Sequence, residues 1–80
     1  QAAVFPNPVE SGGDMNVFLK DEPRPDQTFF TLFNSSGNML FSEPVIAKGY
    51  SFRIPDLAKG IYFYRVSNGL GAQRGRLIVK

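Results

Sequence analysis

Seven carboxylates, three tyrosines and nine basic side chains are what this 80-residue chain can bring to chemistry, because it contains neither histidine nor cysteine. The missing histidine removes the commonest general base and metal ligand. The missing cysteine removes thiolate nucleophiles, thiolate metal sites and disulfides, but does not place the compartment. Glu10 and Asp14 have the side-chain types of an acid–base pair, yet nothing in the sequence around them builds a cleft. Asp14, Asp21, Glu22 and Asp26 offer the oxygen ligands that calcium takes. Their spacing matches no calcium loop, and acids in loops are ordinarily just solvated. No glycine-rich stretch leads from a strand into a helix, so no phosphate cradle is present. No metal, no cofactor and no catalytic residue is expected. Tyr62 has no histidine or cysteine to work with, and its setting gives it a structural reading instead.

Charge is unevenly spread although the net value is only +2. Lys20 and Arg24 face Glu10, Asp14, Asp21, Glu22 and Asp26 in the first half. In the second half Lys48, Arg53, Lys59, Arg65, Arg74, Arg76 and Lys80 face only Glu43 and Asp56. A basic half suits an acidic protein surface, lipid headgroups or nucleic acid; a merely solvated face is the plain alternative. For single strands, Phe18, Phe33, Phe41 and Tyr64 would be the stacking platforms. The basic residues are not interleaved with them, so no nucleic-acid partner is expected. No apolar run approaches the ~20 residues that span a bilayer, so no membrane insertion is expected. Gln1, Ala2 and Ala3 form no signal peptide and no initiator methionine precedes them; the chain reads as a fragment of a larger precursor.

Side chains of these types need strands to hold them, and the sequence supplies seven. Ala3, Val4 and Phe5 form a short apolar strand stopped by Pro6, Asn7 and Pro8. Proline has no ladder donor, so this strand belongs at an edge. Met15, Val17 and Leu19 alternate with Asn16, Phe18 and Lys20, a period of two. The acidic stretch 21–27, with two prolines, is a loop. In residues 28–34, Phe30 and Leu32 face one way and Phe29, Thr31 and Phe33 the other. Apolar groups on both faces predict an outer face that is partly covered or serves as a contact surface. Asn34, Ser35, Ser36, Gly37 and Asn38 make a hairpin loop, with Gly37 placed for positive φ. Asn34-Ser35-Ser36 also reads formally as a glycosylation sequon, although the turn wants the same residues. Residues 39–42 form the return strand and residues 43–49 a loop. Tyr50, Phe52 and Ile54 alternate with Ser51 and Arg53, the clearest half-buried strand in the chain.

Pro55, Asp56, Leu57, Ala58 and Lys59 then form a corner ahead of Gly60, and residues 60–66 are β-branched and aromatic enough for a central strand. A corner followed by Gly-x-Tyr predicts a tyrosine corner, in which the Tyr62 hydroxyl bonds back to the preceding backbone. Residues 67–73, with Gly69 and Gly71, are a turn. The last strand places Gly75, Leu77 and Val79 inward and Arg76, Ile78 and Lys80 outward. Seven short strands at this spacing predict an all-β sandwich or barrel, a single domain over residues 1–80, and the Gly-x-Tyr corner is of the kind found in the seven-stranded Ig-like antiparallel sandwich.

Taken in order, Val4-Phe5-Pro6-Asn7-Pro8, then Leu32-Phe33-Asn34 with Gly37 and Leu40, then Asp56-Leu57 with Gly60-Ile61-Tyr62, then a basic end, resemble one family. It is the C-terminal sorting domain of type IX secretion cargo proteins from the Bacteroidetes, and the likeness runs from about Val4 to Lys80. The resemblance implies an Ig-like sandwich attached in cis behind an N-terminal cargo domain. It implies passage through the periplasm and recognition there by an outer-membrane translocon and its cargo receptor. A surface sortase then removes the domain in many cargoes, at a point at or before Gln1, and the cargo ends on the cell surface or secreted. On the same pattern, Arg74, Gly75, Arg76, Leu77, Ile78, Val79 and Lys80 are the candidate recognition block. Pro6, Asn7, Pro8, Gly37, Asp56, Leu57, Gly60 and Tyr62 are structural motif positions. The competing expectation is an accessory carbohydrate- or protein-binding sandwich on a secreted enzyme, using exposed aromatics such as Phe18 and Phe33.

Overall fold

Alternation of apolar and polar side chains resolves into seven strands in the computed structural model, which describes residues 2–24 and 26–80. They are β1 (Ala2–Phe5), β2 (Asp14–Leu19), β3 (Phe29–Phe33), β4 (Met39–Pro44), β5 (Gly49–Arg53), β6 (Gly60–Ser67) and β7 (Ala72–Val79). The described residues hold no helix. One sheet has the order β1-β2-β5 and the other β4-β3-β6-β7, with every pairing antiparallel. Of the sandwich or barrel that strand spacing allows, the chain forms the two-sheet sandwich, consistent with the Ig-like form that the Gly-x-Tyr corner and the family resemblance imply.

Each sheet turns one stripe inward, as a period of two requires. Met15 and Val17 from the first sheet meet Phe30, Leu32, Val66, Leu77 and Val79 from the second, with Val9, Val45 and Ile54 closing the ends. Phe30 sits at the centre, in contact with the rings of Phe41, Phe52 and Tyr64 at centroid distances of 6.2, 5.2 and 5.6 Å. Burying rings of this size compensates for a chain short of core volume. Phe41 and Tyr64, weighed above as exposed stacking platforms, are therefore half-buried and packed against the core. β6 carries aromatics on both faces, and register decides which face is buried.

Glycine is needed opposite Tyr64. Gly75 is its cross-strand partner, and a Cβ there would clash with the phenol end of the Tyr64 ring. The absent side chain gives the ring room to lie flat against Phe30, at an interplanar angle of 16°.

Two polar links staple the open sides of the sandwich. On one side the Tyr50 hydroxyl donates to Glu43 Oε2 at 2.6 Å, joining β5 to β4. Hydrogen bonding to that carboxylate, then loss of hydration, then its charge raise the Tyr50 pKa above its usual 10.0. On the other side the Gln73 carboxamide accepts from Ala2 N and donates to Ala2 O, at 2.9 and 2.7 Å, joining β7 to β1.

Several boundaries differ from the expected ones. β4 runs on to Pro44, because Glu43 and Pro44 still pair with Phe30 and Phe29. Proline is tolerated there since β4 is an edge and its missing donor is not wanted. β7 begins at Ala72 rather than at 74. Asn68 closes the hairpin by accepting from Leu70 N and Gly71 N at 2.9 and 3.0 Å, so the turn is shorter than residues 67–73. The 34–38 hairpin forms as expected, with Gly37 at φ +89°. Asn34 Oδ1 accepts from Ser36 N and Asn38 N, so the sequon asparagine is engaged by its own loop. Pro25 of the expected acidic loop, and the processing point expected at or before Gln1, lie outside the described residues.

Candidate recognition surface

The corner before β6 is built as its residues require. Gly60 enters the strand at φ +153°, a backbone region that residues with a Cβ avoid. Two residues on, the Tyr62 ring packs against the core and its hydroxyl donates to Ala58 O at 2.6 Å. This is the expected tyrosine corner. The corner is anchored to the turn after Pro8: Leu57 N donates to Ser11 Oγ at 2.8 Å and Gly12 N to Pro55 O at 3.3 Å. Arg53 completes the tie, with Nε and Nη2 both on Gly12 O. Leu57 thus ties the corner through its backbone and packs its side chain against the core.

Asn7 does what sequence reasoning did not assign to it. Pro6 and Pro8 cannot donate to a sheet, so the segment between β1 and β2 has few backbone donors of its own. Asn7 replaces them with its carboxamide, which carries the same donor and acceptor as a peptide unit. Its Nδ2 donates to Arg76 O at 2.7 Å and its Oδ1 accepts from Ile78 N at 3.0 Å. Val9 continues the ladder: its N donates to Ile78 O at 2.9 Å and its O accepts from Lys80 N at 3.0 Å. The result is a short parallel bridge between Val9 and Val79. An exposed Glu10–Lys80 ion pair at 3.7 Å follows, of a kind that contributes little.

An unpaired outer edge on a terminal strand can recruit a partner by backbone pairing. From Arg76 to Lys80 that edge is already taken by Asn7 and Val9. What the terminal block leaves open is its side chains. Leu77 and Val79 are buried, while Arg74, Arg76, Ile78 and Lys80 are exposed.

Those outward side chains continue across the sheet. Register places Phe63 beside Arg76 on one side and Phe33 on the other, and Arg65 between Arg74 and Thr31. The Arg65 guanidinium carbon lies 5.2 Å from the centroid of the Phe33 ring, a cation–π contact. Arg65 Nε is closed off from solvent and has no hydrogen-bond partner among the described residues. A shallow depression of about 510 Å³ runs along this face between Phe33, Arg65, Arg74 and Arg76. Phe63 and Arg65 were legible as the odd-numbered face of a strand whose even face is Tyr62, Tyr64 and Val66, but nothing local marked that face as the open one. On the opposite sheet Phe18 is 60% exposed and lies over Gly49, near Phe5.

The described residues contain no group of three or more carboxylates close enough to share a metal ion. Asp14 lies in β2, and Asp21, Glu22 and Asp26 lie in the loop before β3. Fold and surface together define a small Ig-like sandwich module that presents a basic, aromatic sheet face. Comparison with protein families then names the kind: the model described as the secretion system C-terminal sorting domain matches residues 3–80. The chain belongs to this family, the type IX secretion C-terminal sorting domains of the Bacteroidetes, and its role is that of a C-terminal sorting signal for export to the surface or medium. Comparison with curated proteins finds no match, and comparison with solved structures finds none either.

Proposed function

We propose that the chain is a non-catalytic address. It passes through the periplasm as a folded sandwich, and an outer-membrane translocon with its cargo receptor recognises it there on behalf of an N-terminal cargo domain in cis. A surface sortase then removes it. The recognised block is residues 74–80, held in one pose by the clamp from Asn7 and Val9. The observation that carries this reading is the joining of the opening Pro-Asn-Pro motif to the basic end by two hydrogen bonds from Asn7, with two more from Val9 just after the motif. A signal read once on any cargo needs a rigid scaffold and accessible side chains, and no reacting group.

The test is a fusion of residues 1–80 behind an exported reporter, in a host with this secretion pathway. Full-length fusions reach the surface, and fusions lacking residues 76–80 stay in the periplasm. Surface delivery of the truncated fusion at the full-length level rules out the terminal block as the signal. The exposed Phe18 and Phe5 favour the accessory-module reading enough to warrant one check, a glycan array with the isolated chain. Specific glycan binding together with domain-independent secretion would replace the sorting reading.

A further inference from the structure

The outer face of β3, β6 and β7 carries charge that no ion pair among the described residues neutralises. Alternation and register put Phe29, Thr31 and Phe33, Ile61, Phe63, Arg65 and Ser67, and Arg74, Arg76 and Ile78 on that face. None is a carboxylate. Arg65 and Arg74 are direct cross-strand partners, an arrangement of like charges that destabilises a sheet. The only ion pair among the described residues is Glu10–Lys80, away from this face. Arg65 is held over Phe33 with its Nε unpartnered. A guanidinium set over a ring, with no hydrogen bond of its own among the described residues, suits an incoming oxyanion at its terminal nitrogens, most simply a carboxylate taken in a two-point fork.

A small free anion would satisfy the arginines and leave the rest of the face unexplained. Ile61, Phe63 and Ile78 are 49, 43 and 40% exposed, side by side with the arginines. Arginine and aromatic residues are the types enriched where proteins bind proteins. We infer that this face, centred on Arg65, docks a protein segment in which carboxylates alternate with apolar side chains. The inference rests on the sorting reading and widens the contact from the terminal block to the face of the sheet. Phe33, Phe63 and Arg65 then belong to the address as much as Arg74 and Arg76 do.

Two readouts test it with the reporter fusion. The first is surface delivery of wild type, Arg74→Glu/Arg76→Glu, Arg65→Gln and the control Lys48→Glu, with melting curves of each purified chain. Charge reversal weakens the contact and lowers delivery about tenfold, and the control matches wild type. Arg74→Gln gives the signature a purely structural role lacks. Removing the like-charge pair raises the melting temperature by about 1–4 °C while delivery falls. The second readout places a photoreactive benzophenone amino acid at Phe63 in exporting cells and maps the cross-link by mass spectrometry. The expected product is a protein segment rich in Asp and Glu. Cross-links to lipid, to glycan or to a second copy of this chain overturn the inference, as does wild-type delivery by the folded Arg74→Glu/Arg76→Glu variant. Wild-type delivery that does not depend on the translocon sinks the proposed function itself, and so the two failures are told apart.

Discussion

Replacing Asn7 by alanine tests whether the opening segment holds the terminal strand. The substitution removes a donor 2.7 Å from Arg76 O and an acceptor 3.0 Å from Ile78 N. An intramolecular hydrogen bond contributes about 0.5–1.5 kcal/mol net. Both bonds lie at an exposed edge where water replaces a lost partner, so the pair is worth about 1–2 kcal/mol rather than the upper sum. For a domain of this size that lowers the melting temperature by about 5–15 °C. The bonds from Val9 to Ile78 O and Lys80 N remain, so the strand loosens without leaving the sheet. Urea unfolding measures the total, and amide exchange locates it: the Ile78 amide loses protection first, because its acceptor is gone. Asn7→Asp keeps an acceptor for Ile78 N but turns an oxygen towards Arg76 O, so it protects the Ile78 amide yet still destabilises. The Glu10–Lys80 pair is exposed, and added salt leaves the Asn7→Ala difference unchanged. An Asn7→Ala midpoint equal to wild type, with Ile78 exchange unaltered, would refute the clamp.

Three further outcomes follow from single contacts. Tyr62→Phe loses only the hydroxyl bond to Ala58 O and costs about 1 kcal/mol in urea unfolding, whereas Tyr62→Ala also empties core space and costs about 3 kcal/mol or more. Gly75→Ala puts a methyl where the Tyr64 ring lies; it costs about 1–3 kcal/mol, and near-ultraviolet circular dichroism reports the displaced Tyr64–Phe30 stack. The Tyr50 phenol has a raised pKa in the fold, so its contribution is complete below the unfolded value of 10.0 and is lost as pH rises through the folded one. Urea midpoints therefore fall on the alkaline side of that value, and Tyr50→Phe flattens the part of the fall due to this residue.

Periodicity made much of the fold legible. Tyr50, Phe52 and Ile54 against Ser51 and Arg53 could only be a strand with one wet face, and β5 is one. The Gly60-x-Tyr62 block foretold its own hydrogen bond because the motif and its partner, Ala58, are four residues apart. Where both faces carried aromatics the sequence was silent, and Tyr64 and Phe63 were told apart only by which neighbours the second sheet covers. Asn7 was illegible for a different reason. Its partners are about 70 residues away, and no local pattern says that a carboxamide between two prolines will stand in for a peptide unit. The Arg65 face has the same origin: Phe33, Arg65 and Arg74 come from three strands and meet only through register.

That the address is a held surface, and not a short linear tag, is tested most directly by comparing two fusions to the same exported reporter. One carries residues 1–80 and the other residues 74–80 alone. The account predicts surface delivery for the first and retention for the second, because the heptapeptide lacks the sheet, the clamp and Arg65. Equal delivery by the heptapeptide would contradict it.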